Sequence, residues 1–369
     1  MNSTHKFLLK IFAEPKLSII NRYAVMSQSP PGQKRAYYFS TPILYKSNNR
    51  PVRPQFQKIA DFYYFKGSNC EVKITDGCVT LYNDNEKIFL HLNESRSLVH
   101  SDDFSCLRND SIMIFPSFNG IIIKHRTNKT KFKIESSCSS DIRNNTKYFA
   151  FMRSNFEPIV TVNAMFAENR YRDVFYNVIL NSRKITKSAY DLELCSVCEN
   201  SFQLTYEINM YEPKLIQDTT VESNHPNENN VFGDIAFLGK SSWCGNQFLY
   251  LRIDDSKIDL QNGLSIDKVR LHIPYYTTTA KNFRISVPMR RFCNFGSTWN
   301  NKIPYSNAIS SGTKNNGYIT FDISKYVISK AGKWTPCEGF VLQSPGEHFS
   351  IIGTGDNYYT PQVLEITYK

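Results

Sequence analysis

Short runs of β-branched and aromatic residues, broken by Asn, Asp and Gly, recur along most of this chain. Ala36 to Tyr45, Glu71 to Ile74, Val79 to Tyr82, Lys87 to Leu92, Ser111 to Phe115, Gly120 to Lys124 and Lys131 to Ile134 all follow this pattern. Their length and two-residue alternation predict strands with one wet face. Thr75-Asp76-Gly77-Cys78 and Ser117-Phe118-Asn119-Gly120 carry the residues that tolerate positive φ, and read as hairpin turns. Phe156 to Phe166, Asp173 to Leu180 and Ser201 to Met210 continue the style, with a short helical turn expected over Met165 to Tyr171. Lys6 to Ile20 has helical spacing, interrupted at Pro15.

The last third has longer strand signals in a fixed order. They are Phe248 to Ile253, Ile266 to Ile273, Gly317 to Ser324, Gly339 to Leu342 and Pro361 to Tyr368, with the turn Gly296 to Pro304 between them. The expected fold class is all-β: an N-terminal β-rich hairpin domain followed by a jelly-roll-like β-sandwich. The expected boundaries are a lead-in and linker over 1–32, the β-rich domain over 33–215 and the sandwich over 216–369. Ser27-Gln28-Ser29-Pro30-Pro31-Gly32 marks the linker by composition.

The C-terminal segment resembles the DNRLRE-domain family, bacterial and archaeal β-sandwich modules related to carbohydrate-binding modules. Gln217 to Ser223 is similar to that family's opening strand. Leu251-Arg252-Ile253-Asp254 is similar to its L-R-F-D strand, and Ile266 to Ile273 to its I-x-x-A-x-L-x-L strand, with Val269 in place of Ala. Thr298-Trp299-Asn300-Asn301 with Pro304 resembles its T-W-N-x-x-P turn, and the G-F-x-L and P-x-L-x-I-x-Y strands close the chain. Upstream, Tyr38 to Lys46 loosely resembles a P-V-x-Y-K opening found before such domains in wall-associated and Rhs-type proteins. This chain departs from it at Asn48-Asn49-Arg50-Pro51. The resemblance implies a non-catalytic module that recognises a polysaccharide or surface glycan. A structural subunit of a spore surface, appendage or phage virion, with self-assembly through its thiols, is the alternative.

Composition bears on this in three ways. Aromatic residues make up 14% of the chain, enough to fill cores. The formal net charge of +11 is uneven: Lys and Arg outnumber Asp and Glu by 29 to 20 over residues 1–215, but only by 15 to 13 afterwards. The densest basic stretch, Lys124-His125-Arg126 with Lys129, Lys131 and Lys133, alternates with Phe132 and Ile134 like the wet face of a hairpin. It does not read as a nucleic-acid footprint. Third, the nine cysteines lack metal-site spacing, and Cys195-Ser196-Val197-Cys198 lies in a strand-like segment.

No run reaches the roughly 20 apolar residues of a membrane span. Phe7-Leu8-Leu9 is cut by Lys10, so no signal peptide is expected. The chain is expected in the cytoplasm, or at a cell, spore or virion surface by a route that needs none. Serine-hydrolase, phosphate-loop, dinucleotide and zinc-protease motifs are missing, so no catalytic residues are expected.

All three tryptophans fall in the last third. Sugar rings stack on aromatic faces while amides and charged groups bond their hydroxyls. Trp243 and Trp334, in polar loops, are the expected platforms, with Asn246 as a hydroxyl partner. Trp299 is expected to cap the core. Many modules of this resemblance hold a structural Ca²⁺, and Asp218, Asp234 and Asp356, with Asn246 as a further oxygen donor in a loop, are its expected ligands.

Overall fold

The computed structural model describes residues 3–369 apart from 22, 30–32, 42–45, 48, 49, 52–54, 68, 84, 93, 94, 102–105, 118, 139, 140, 156, 213, 262, 358 and 359. Part of the expected linker, of the upstream opening and of the Ser117–Gly120 turn lies outside the described residues. The fold is all-β and antiparallel, and the chain divides into two units. One unit is Met1–Leu44 with Lys214–Lys369; the other is Tyr45–Pro213.

The unit of residues 45–213 is built from hairpins. One sheet runs in the order Val178–Lys184, Ala189–Ser196, Lys129–Ser136, Lys87–His91, Cys78–Tyr82, Glu71–Thr75, Phe62–Lys66, Gln57–Ile59. The other centres on Gly120–His125, Gln203–Met210, Pro158–Glu168 and Tyr148–Met152. Alternation decides what faces inward. In Lys129–Ser136, Thr130, Phe132, Ile134 and Ser136 are buried, whereas Lys129 and Lys131 face water. Both sheets contribute to one core, from Val72, Leu81 and Leu90 to Ile123, Val162 and Ile208. The Thr75–Cys78 turn forms as expected, with Gly77 at φ 79°. The expected helical turn near Met165 does not form. Pro158–Glu168 stays extended through it, because its carbonyls and amides are paired with Gln203–Met210 across a bulge at Ala164/Phe166.

The other unit is a sandwich whose sheets are joined at corners. One long strand, Ile266–Thr278, changes partners along its length. Its first part pairs with Val363–Tyr368 and Tyr318–Asp322, and its last residues pair with Phe349–Gly353 after a shift at Tyr275/Thr277. Ser310–Asn315 makes a second corner between Phe283–Ser286 and Tyr318–Asp322. Gly312 is required there: a Cβ would lie 2.6 Å from Ile319 Cγ2 and 2.7 Å from Phe321 Cε1. The enclosed core joins Leu249, Leu251 and Leu342 to Leu271, Phe321, Leu364 and Ile366.

Residues 3–39 are part of this unit, which differs from the expected lead-in and from a boundary at 33. Gln33–Phe39 pairs along its length with Val363–Tyr368, and Ala24–Ser29 pairs with Gln33–Phe39. Ala36 and Tyr38 point into the main core. On the opposite face, Val25, Tyr37 and Phe39 meet the helix Ser3–Phe12 through Phe7, Leu8, Ile11 and Phe12. The helix ends before Pro15 and does not continue to Ile20.

Candidate functional site

The strand pair Ile216–Glu222 and Gly245–Ile253 has two unlike faces. Ile216, Leu249, Leu251 and Ile253 enter the core. The register places Gln217 opposite Arg252, Thr219 opposite Tyr250 and Val221 opposite Phe248 on the outer face. Much of that outer face is covered by the segment 287–306. Phe292 and Ile303 pack on Val221 and Tyr250, and the Tyr250 hydroxyl donates to Ile303 O at 2.7 Å. Trp299 stacks on Phe248, with ring centroids 5.5 Å apart, and Lys302 Nζ lies 4.0 Å from the centroid of its indole. Its turn is held by Thr298 N–H donating to Asn301 Oδ1 and Asn301 Nδ2 donating to Gly296 O. Trp299 therefore caps apolar surface, the role expected for it.

The cover stops short of Gln217 and Arg252, and a groove opens there. One stretch, about 300 Å³, is lined by Gln217, Arg252, Ile253, Asp254, Asp255, Ser256 and Cys337. The next, about 410 Å³, shares Gln217 and Arg252 and adds Arg291, Phe292, Cys293, Asn294 and Phe295. Guanidinium, carboxylate and amide groups thus stand beside two phenyl rings. Asp254 accepts from Ser256 N–H and Oγ at the start of a short 3-10 turn, which fixes its carboxylate. Burial raises the Asp255 carboxyl above its ordinary value, against the hydrogen bond it accepts from Trp334 Nε1 at 2.8 Å. Burial also pushes the Cys337 thiol up to about 11, so it stays protonated at neutral pH and is a poor nucleophile.

The expected site residues are spread over three places. Trp334 borders the groove through Asp255, and its ring packs against the core rather than standing free. Trp243 is half-buried in the turn between Ile235–Ser241 and Gly245–Ile253, 6.4 Å from the His225 ring. Asn246 is exposed beside it, with its backbone bonded to Ser223. The three are not one surface.

Asp218, Asp234 and Asp356 are buried and meet at the loop 353–357. Asp218 Oδ2 accepts from Gly355 N–H and Gln362 Nε2, both at 2.8 Å. The Asp234 carbonyl accepts from Thr354 N–H and from Asn357 Nδ2. Asp356 Oδ1 accepts from Lys214 Nζ at 2.5 Å. Burial, and then the charge of Asp356, push the Asp218 carboxyl up to about 8. One Asp356 oxygen is thus committed to the Lys214 ammonium, while Asp218 Oδ1 is buried without a hydrogen-bond partner.

Sequence reasoning missed the groove because its central pair, Gln217 and Arg252, is made by strand register. The nearest signal was the L-R-x-D pattern, which places an arginine between core residues on an outward-facing position.

No family model matches the chain, and no curated protein matches it. Among solved structures, the chain is similar to the N-terminal domain of a Streptococcus gordonii adhesin, at 9% identity over 95% of this chain and 92% of that one, with a TM-score of 0.18. It is also similar to an exo-β-1,3-galactanase from Phanerochaete chrysosporium, at 9% identity over 90% of this chain and 100% of that one, with a TM-score of 0.16. At these scores neither likeness carries an argument.

Proposed function

We propose that this protein is a non-catalytic binding module whose groove around Gln217 and Arg252 takes a glycan or a comparable hydroxyl-rich polymer. The carrying observation is the groove itself, in which a fixed carboxylate, two arginines and an amide stand beside Phe292 and Phe295. Hydroxyls of a sugar are both donors and acceptors. Asp254 and Asp255 accept from them, Arg252 and Arg291 donate, and Gln217 does either. The half-buried Phe295 ring offers contact to the apolar faces of the sugar. The groove is open and shallow, which suits a chain passing along it. The DNRLRE resemblance supports the same reading. On an array of polysaccharides, wild type is expected to bind at least one class and Gln217→Ala with Arg252→Ala to lose most of that signal. Equal signals, or none for wild type, reject the groove.

One observation favours a second reading, assembly of a structural layer: Cys138 and Cys293 are exposed free thiols. Oxidative cross-linking through them predicts larger species by size exclusion that collapse with reductant. A single size under both conditions rejects that reading.

A further inference from the structure

The turn after Ile216–Glu222 and the turn before Gly245–Ile253 are closed upon each other. Ser223 N–H donates to Asn246 O at 2.9 Å, and Asn224 N–H donates to Cys244 O at 3.2 Å. The Asn224 side-chain amide reaches Ser242 O and Trp243 O at 3.2 and 3.1 Å. Asn246 N–H donates to Ser223 Oγ at 2.8 Å. Gly245, at φ 69°, permits the approach, since a Cβ there would stand 2.1 Å from Ser223 Oγ.

The clamp brings three different donor atoms together. A carboxylate oxygen of Glu222, a ring nitrogen of His225 and the sulfur of Cys244 all lie within 4.8 Å of one another. Glu222 Oε2 and His225 Nδ1 are 3.0 Å apart. Glu222 and Cys244 are buried, and the His225 side chain is 26% exposed.

We propose that Glu222, His225 and Cys244 bind a zinc ion. Tetrahedral zinc, with sulfur at about 2.3 Å and nitrogen and oxygen at about 2.1 Å, holds its ligand atoms roughly 3.4–3.7 Å apart. Side-chain rotations of about an ångström bring this cluster to that spacing without moving the clamped backbone. The donor set selects the metal. Thiolate and imidazole favour zinc, whereas calcium and magnesium take oxygen ligands. Charge agrees too: one carboxylate and one thiolate neutralise a divalent cation, so the loaded site is electrically neutral where it is buried. The thiol proton leaves when the metal enters. Three protein ligands leave a fourth position for water or an oxygen ligand.

The test uses the full chain stripped of metal and titrated with cobalt(II), then displaced by zinc. Wild type is expected to take up one equivalent, with a thiolate-to-cobalt charge-transfer band and micromolar or tighter zinc affinity. Cys195→Ser with Cys198→Ser is expected to bind as wild type does, which removes the C-x-x-C as the source. Cys244→Ser is expected to lose the charge-transfer band. His225→Ala, at a partly exposed position, is expected to fold, to keep that band and to bind zinc at least tenfold more weakly. The proposal is overturned if wild type binds neither metal in this range, if His225→Ala binds as tightly as wild type, or if the Cys195/Cys198 variant loses the band.

Discussion

Two outer sheet faces of this molecule handle polar groups in opposite ways. In the unit of residues 45–213, Lys129–Ser136 and Ala189–Ser196 turn their charges to water and pair them across the strands. Lys129 and Lys131 reach Glu193 at 3.1 and 2.7 Å, Lys133 reaches Glu135 at 2.8 Å, and Arg183 reaches Asp191 at 2.6 Å. Lys129, Lys131 and Lys133 of the densest basic stretch are thereby paired with Glu193 and Glu135. In the other unit, the pair Ile216–Glu222 and Gly245–Ile253 places Asp218 and Glu222 on the buried side and Gln217 and Arg252 on the open side. The groove arises where a covering segment ends, rather than where charge is densest.

That contrast predicts stability effects of very different size. Lys214→Ala should cost the most, about 3–5 kcal/mol at neutral pH by urea unfolding, because it strands the buried Asp356 carboxylate. A cost below about 1 kcal/mol would mean that Asp356 is relieved by other means.

Next comes pH. Asp218 holds its proton up to about 8 in the folded state, well above its ordinary carboxylate value, because of burial and Asp356. The native state then binds more protons than the unfolded chain between about pH 4 and 8. This contribution is complete below pH 4 and is lost as pH rises to 8. Asp218→Asn should stay folded and flatten stability against pH across that window, as urea unfolding from about pH 4 to 8 reads it. A stability difference from wild type that does not change with pH would contradict the assignment.

Glu365 works in the opposite direction. Burial alone would raise its carboxyl, but the His272 hydrogen bond and then the charges of Arg270 and Arg35 outweigh that and hold it below its ordinary value. Its contribution is therefore present above the unfolded value and lost as acid titrates it. Glu365→Gln should flatten the acid limb of stability against pH measured by urea unfolding, and an unchanged limb would contradict the assignment.

Tyr250→Phe should cost about 1 kcal/mol, by leaving the Ile303 carbonyl without its donor, and should loosen the covering segment. The smallest effect belongs to the wet face. Lys131→Ala should change stability by less than about 1 kcal/mol, and raised salt should shrink the change further. A cost there matching Lys214→Ala would erase the distinction between the two faces.

The same contrast separates what could be read in the sequence from what could not. Lys129–Ser136 and the closing strand Val363–Tyr368 carry regular patterns and fall where expected. The partner of that closing strand was hidden: Phe39 faces Val363 and Lys34 faces Tyr368, and no local signal records so distant a register. Ile216–Glu222 reads as polar, yet Asp218 and Glu222 are buried, Asp218 Oδ2 accepting from Gln362 far along the chain and Glu222 meeting His225 three residues on. Trp334, in a polar loop, gives its indole N–H to Asp255 and packs against the core. The groove needed Gln217 beside Arg252, which only strand pairing supplies.

Hydrogen-exchange mass spectrometry with and without a pool of soluble polysaccharides tests the binding account most directly. Slowed exchange in peptides covering 252–256 and 291–295 is the predicted result. Protection confined to residues 45–213, or none anywhere, would contradict it.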